Sequence, residues 1–361
     1  MASLVVFGPY PPPYGGVSIF VYQLSEHLKR QHIPFTLKKF QGITDAPADA
    51  VQPTTKSILQ HFGAMNARTV FLDNASFFLE YPATQSSRRA RWSFHWTWLG
   101  LKALRRFRWL KVVHDGTLIE RYQAFAPHQQ RAFHRYAAAV DEFIAVSPPL
   151  GAWLQQEIRV TQPVHSIQSL LPLIAYEDAT LPAAAVSAFA NCDYAVCSVG
   201  TFIPSYGFLH VANAVEALRQ ATGKRIALIL LDAGFAGTQQ YREQVLAQRS
   251  WITVLSRLPH PQALEVIRHC HAFVRGVEAE SYGLSKVEAI FCGVPVVATS
   301  VGETRGMLLY DYGDEAALER QLRGALLEPR SDQLQSWAER YRAEADANLH
   351  KLLQIISTHA G

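Results

Sequence analysis

Short apolar runs alternate with longer amphipathic stretches along the chain, the pattern of parallel strands covered by helices. Leu4–Phe7, Thr69–Leu72, Val112–His114 and Phe143–Val146 predict strands of a first sheet. Tyr194–Val199, Arg225–Leu231, Ile252–Leu255, Ala272–Val274 and Val294–Ala298 predict strands of a second. Residues 161–191 show no clear period and hold Pro163, Pro172 and Pro182, so the linker between two domains is expected there. Residues 332–357 are helical in composition, with Leu334, Trp337, Leu349, Leu352, Leu353 and Ile356 as the apolar positions and a break expected near Tyr341. At 361 residues the chain has the length of two ordinary domains.

Composition narrows the class. No apolar run reaches the roughly 18 residues that span a bilayer. The first residues lack a basic segment followed by an apolar core, so no secretory signal is expected. Cys192, Cys197, Cys270 and Cys292 have neither metal-ligand nor disulfide spacing, which leads to the expectation of a cytosolic protein with reduced thiols and no bound metal. The net charge of +4 is small, but it is unevenly spread. No acidic residue lies between Glu80 and Asp115, while Arg88, Arg89, Arg91, Lys102, Arg105, Arg106, Arg108 and Lys111 do. Trp92, Trp96, Trp98, Leu99, Leu101, Leu104 and Trp109 are interleaved with them. Residues 88–111 therefore suit an anionic membrane surface first, or else a helix whose aromatics pack inward; nucleic acid is the competing partner, but no nucleic-acid motif accompanies the charge.

The most informative stretch runs from Val277 to Val297. Glu280 and Glu288 stand eight positions apart, with Gly283-Leu284-Ser285 between them and Gly293-Val294-Pro295-Val296-Val297 beyond. Ser285 is expected to cap a short helix with Glu288 at its third position, and Gly293 to end it in a left-handed conformation. The N–H groups at such a helix N-terminus, opening beyond the strand Ala272–Val274, suit a diphosphate. Near the other end of the chain Gly15-Gly16 follows the first strand and a turn holding Pro11, Pro12 and Pro13, and precedes an amphipathic segment with Val17, Phe20, Val21, Leu24 and Leu28.

This signature resembles the donor site of retaining glycosyltransferases of family 4. The resemblance spans most of the chain and is specific from about residue 272 to 297. It implies the α/β GT-B fold, with two facing Rossmann-like domains and a last helix crossing back to the first. The boundaries expected are 1–165 for an acceptor-side domain, 166–340 for a nucleotide-sugar domain and 341–361 for the returning helix. It further implies that Glu280 bonds hydroxyls of the transferred sugar and Glu288 the ribose, a task for which an acceptor-only carboxylate is suited. His114, after the strand Val112–Val113, would lie near the reacting sugar, with Asp115 a helix cap or a second polar group. Gly15, Gly16, Gly283, Leu284 and Ser285 would approach the donor phosphates.

One departure stands out. Where the family has an arginine and a lysine for the diphosphate, this chain has Thr201 and Tyr206. Arg275 is the first substitute expected, then Lys286 and Arg305, which are otherwise solvated surface cations. The implied activity is metal-independent transfer, without a cofactor, from a UDP- or GDP-linked sugar to a glycan or lipid-linked acceptor, in the cytoplasm or at the inner face of the cell membrane. The missing basic pair leaves open a non-catalytic binding subunit, and the fold leaves open a nucleotide-sugar epimerase.

Overall fold

The computed structural model describes residues 3–12, 14–39, 55–75, 88–174, 179–234, 237–328 and 331–359. Pro13 of the expected proline turn and residues 175–178 of the expected linker lie outside them. By contacts the chain divides into two compact units. One comprises Met1–Pro11, Val17–Ile174 and Ala345–Gly361, the other Pro12–Gly16 and Ala175–Glu344.

In chain order the first part contains β1 (Ser3–Gly8), α1 (Gly16–Arg30), β2 (Phe35–Lys39), α2 (Thr55–Phe62), β3 (Thr69–Asp73) and α3 (Arg88–Arg105). There follow β4 (Arg108–Val113), α4 (Leu118–Gln123), α5 (Pro127–Ala139), β5 (Glu142–Ala145), α6 (Pro148–Gln156) and β6 (Val164–Ser166). All six strands are parallel, in the order β2-β1-β3-β4-β5-β6. β3 is buried at all five positions, as expected of a strand covered on both faces. An aromatic cluster fills the core around it. Phe71 stacks on Trp98 at 5.2 Å, and Trp98 on Trp109 at 5.8 Å.

The second part contains α7 (Ala183–Ala190), β7 (Tyr194–Gly200), a 3₁₀ turn at Pro204–Tyr206, α8 (Phe208–Thr222), β8 (Ile226–Asp232), α9 (Gln239–Leu246) and β9 (Ile252–Ser256). It continues with α10 (His260–Arg268), β10 (Ala272–Arg275), α11 (Leu284–Phe291), β11 (Val296–Thr299), β12 (Leu308–Tyr310) and α12 (Glu315–Leu327). These strands are also parallel, in the order β12-β11-β10-β7-β8-β9. Renumbered within the sheet this is the 3-2-1-4-5-6 order of the Rossmann fold, whose strand sequence reverses between its first and fourth strands.

The last helix, α13 (Ser331–Thr358), is continuous through Tyr341, so the expected break is absent. Its Leu349, Leu352, Ile355 and Ile356 join the core of the first unit, and Asn348 Nδ2 donates to Leu170 O at 3.1 Å. Apolar spacing without an interior glycine or proline explains the continuity. Among the described residues no helix is long and apolar enough to cross a membrane.

Candidate active site

In an open parallel sheet ligands sit beyond the carboxyl ends of the strands, where the strand order reverses. In the second sheet that point lies between β7 and β10, and Arg275 is the last residue of β10. Its Nη1 donates to Val199 O of β7 at 2.6 Å, across the reversal. Nε and Nη2 both donate to Glu280 Oε1, at 3.0 and 2.5 Å. Three of the five guanidinium N–H groups are thus committed. The guanidinium also lies 5.2 Å from the centre of the Tyr206 ring.

Lys286 completes the cluster. Its Nζ stands 3.3 Å from Glu280 Oε2 and donates to Val301 O at 2.7 Å. The side chain is 0% exposed, so of the two readings the sequence left open for it, the solvated surface cation is excluded. Burial raises the Glu280 pKa, yet Arg275 first and Lys286 second outweigh it and hold the carboxyl below its usual range. Burial lowers the Lys286 pKa, with Glu280 opposing that fall. Gly283, at φ +86°, lets this cluster close. A Cβ there would come within 2.2 Å of Lys286 Cε and 2.3 Å of Glu280 Oε2.

The start of α11 differs from expectation. Gly283 is the N-cap residue, no side chain caps the helix, and Ser285 lies inside the first turn. The capping box expected of Ser285 and Glu288 is therefore absent. The left-handed Gly283 brings the chain into the helix two residues early, which displaces serine from the capping position. The other end behaves as the sequence indicates. Gly293 has φ +77°, its N–H bonds Ile290 O, and Val294 N–H bonds Ala289 O, the paired bonds of a Schellman motif. Glu288 is buried and is bonded to His260, the first residue of α10, at 2.7 Å between Oε1 and Nε2.

Thr201 and Tyr206 lie just past β7, with Thr201 buried and its Oγ1 without a hydrogen-bond partner among the described residues. Arg275 reaches over Tyr206 from β10, so a cation is present beside the loop that lacks its own. Arg305 does not share this site. It forms paired bonds to Glu303 at 2.9 and 2.7 Å and to Glu344 of α13 at 2.7 and 2.8 Å.

In the first sheet the order reverses between β1 and β3, and Asn74 follows β3 there. Asn74 N–H bonds Phe7 O at 2.7 Å. His114, one residue past β4, meets Asn74 Oδ1 through Nε2 at 3.1 Å and Ser169 Oγ through Nδ1 at 3.5 Å. Its ring meets Phe20 of α1 edge-on at 4.9 Å. Burial, assisted by the charge of Lys111, pushes its pKa down to about 3, so the ring is neutral near pH 7. Both ring nitrogens are engaged, which fixes the tautomer with hydrogen on Nε2. Asp115 accepts from Thr117 N–H and Oγ1, both at 2.9 Å, and pairs with Arg121. Gly15 precedes α1 and Gly16 opens it, and a Cβ on Gly16 would meet nothing within 4 Å.

Sequence reasoning missed Asn74, Ser169 and His260. Asn74 follows a predicted strand, and His260 follows the strand Ile252–Leu255 between two prolines, so position at a strand's carboxyl end was the signal available. The basic aromatic stretch divides in two. Trp98, Leu101 and Trp109 are core residues, Lys111 is enclosed beside Asp73 at 3.1 Å, and Lys102 pairs with Asp141 at 2.5 Å. Trp96, at 51% exposure, Leu104, at 82%, Arg105 and Arg106 face solvent. The side chains of Arg88, Arg89, Arg91 and Trp92 lie outside the described residues.

The family model for glycosyl transferases group 1 matches residues 184–342. The match covers the Arg275–Glu280–Lys286 cluster, the His260–Glu288 pair and α11. No curated protein sequence matches the chain. Among solved structures, sucrose-phosphate synthase from Thermosynechococcus elongatus is similar with a TM-score of 0.74 and 17% identity, covering 99% of both chains. The α,α-trehalose-phosphate synthase (UDP-forming) from Burkholderia xenovorans, in complex with glucose-6-phosphate, gives 0.69 and 12%, covering 100% of both. Anabaena HepE in complex with UDP-glucose gives 0.65 and 17%, covering 98% of this chain and 99% of its own. At these identities the likeness shows the fold, and that fold is GT-B, with two Rossmann-like parallel sheets of six strands each.

Proposed function

We propose that this protein is a retaining, metal-independent glycosyltransferase that moves a sugar from a UDP- or GDP-linked donor to a hydroxyl of a glycan or lipid-linked acceptor. The observation that carries the reading is the Arg275–Glu280 pair, set where the second sheet's strand order reverses and beside the N-terminus of α11. The sugar's C1–phosphate bond breaks and a C1–oxygen bond to the acceptor forms on the same face. The acceptor proton passes to the leaving phosphate. Charge grows on the diphosphate, and Arg275 with the first N–H groups of α11 is the stabilising set available. Glu280 Oε2, which accepts no well-aligned hydrogen bond, is left to receive a sugar hydroxyl. Glu288 would take the ribose, and Gly15 and Gly16 would approach the phosphates from the start of α1.

Support comes from the match over residues 184–342 and from the cation that Arg275 supplies beside Tyr206. In the same reading the enzyme works in the cytoplasm, held to the inner face of the membrane by the exposed end of α3 in synthesis of a cell-surface glycan.

Purified protein is to be incubated with UDP- and GDP-sugars, with and without membrane lipid extract, while nucleotide release is followed and the product's anomeric configuration is read by NMR. Glu280→Gln is expected to lower transfer about 100-fold with an unchanged circular dichroism spectrum. Full retained transfer would remove Glu280 from the reaction. Failure to release nucleotide from any donor would favour a binding subunit, and donor conversion without acceptor would favour an epimerase.

A further inference from the structure

A glutamate at a sheet's rim normally keeps its carboxylate in water. Glu288 is nearly enclosed, and so is His260, which starts α10 and lies 28 positions earlier in the chain. Removing a carboxylate from water is costly unless its oxygens are bonded. Only one of them is. Oε1 lies 2.7 Å from His260 Nε2, while Oε2 is bonded to none of the described residues. An ionised carboxylate only accepts, so the hydrogen of this bond sits on Nε2.

The surroundings hold the pair in place. Pro259 and Pro261 flank His260 and hold the start of α10 in place, with Pro259 extended at φ −52° and ψ 141°. His260 follows β9, and Glu288 lies in the helix that follows β10, so both occupy the carboxyl edge of one parallel sheet. An imidazole anchored there restricts the carboxylate's rotation and keeps one oxygen turned away from the partner that holds the other.

We infer that His260 is a positioning residue for the nucleotide. It fixes the Glu288 carboxylate so that Oε2 is presented to the vicinal hydroxyls of the donor's ribose. This deepens the glycosyltransferase reading and rests on it. The histidine touches no substrate atom; it acts through Glu288 by reducing the orientations that binding must select.

The test measures binding of UDP, GDP and the matching 2′,3′-dideoxynucleoside diphosphates by calorimetry to wild type, His260→Ala, His260→Gln and Glu288→Ala. Wild type is expected to bind one ribonucleotide more tightly than its dideoxy form. His260→Ala should weaken the ribonucleotide about tenfold and leave the dideoxy form unchanged. Glutamine, whose amide N–H falls near the Nε2 position, should restore most of the loss. In turnover with that donor, His260→Ala should raise KM with little change in kcat. A purely structural histidine would weaken both nucleotide forms alike, and that outcome overturns the inference. If wild type distinguishes the two forms and His260→Ala distinguishes them equally well, the inference also fails while the donor reading stands. Binding of neither ribonucleotide by wild type would bring down the donor reading and this inference together.

Discussion

Each unit encloses one lysine beside a carboxylate near the carboxyl edge of its sheet, and the two pairs are tuned in opposite directions. In the first, Lys111 stands 3.1 Å from Asp73, which also accepts from Trp109 Nε1 at 3.1 Å. Burial dominates, and the Asp73 pKa is raised despite the lysine. In the second, Lys286 stands 3.3 Å from Glu280, and a second cation, Arg275, is added. There the carboxyl is held below its usual value. One cation compensates an enclosed carboxylate incompletely, and two over-compensate it and leave the group net positive. The first arrangement suits a core and the second suits an anionic ligand, as expected if a diphosphate is to be met there.

The largest effect that could break this contrast is on stability. Lys111→Ala leaves Asp73 enclosed without the only cation facing it among the described residues, and should cost about 3–5 kcal/mol in urea unfolding. Lys286→Ala leaves Arg275 on Glu280 and should cost about 1–3 kcal/mol. Equal losses would mean that the second cation changes nothing. A smaller effect sharpens the difference between a neutral first edge and a charged second one. His114 titrates at about 3 in the folded protein against 6.5 unfolded. Between those values the unfolded chain binds the extra proton, so stability falls as pH drops below about 6.5. Wild type should lose up to about 1.4 kcal/mol per pH unit from this group, and His114→Gln should flatten that slope between pH 6.5 and 5. Parallel pH profiles for the two proteins would show that His114 is not held neutral. The smallest effect concerns where the first unit keeps its spare cations. They lie outward at the end of α3, whereas the second unit turns two of its own inward. Arg106→Gln should weaken co-sedimentation with anionic liposomes by about 1 kcal/mol, one cation's share. Unchanged sedimentation would count against membrane attachment there.

Strands with long apolar runs were legible, and so was the helix between the glutamates, because local pattern determines both. Strand β4 was placed late, since Arg108 and Lys111 interrupt its apolar run and sequence alone does not show that Lys111 is enclosed by Asp73. Strands β2, β6 and β12 were missed because they are short and only partly buried. In the candidate site, Glu280 and Glu288 follow from the family resemblance and Arg275 from its place at the end of a predicted strand. Lys286 and His260 could not be placed, because their partners are set by packing across elements rather than by neighbouring residues. The tryptophans of α3 and β4 show the same limit. Alternation of basic and aromatic residues does not tell which ring turns inward, and Trp98 turned in while Trp96 stayed out.

The eight-residue α11 is bounded by two glycines at positive φ, a conformation that favours glycine, and this has a consequence for tolerated change. One inserted residue would turn everything after it by about 100°. Glu288 would then swing away from His260 while Glu280, ahead of the insertion, stayed in place. The interval between the two acids is thus a matter of angular phase. Lengthening the loop before Glu280 should be far less harmful than adding a single alanine after Lys286.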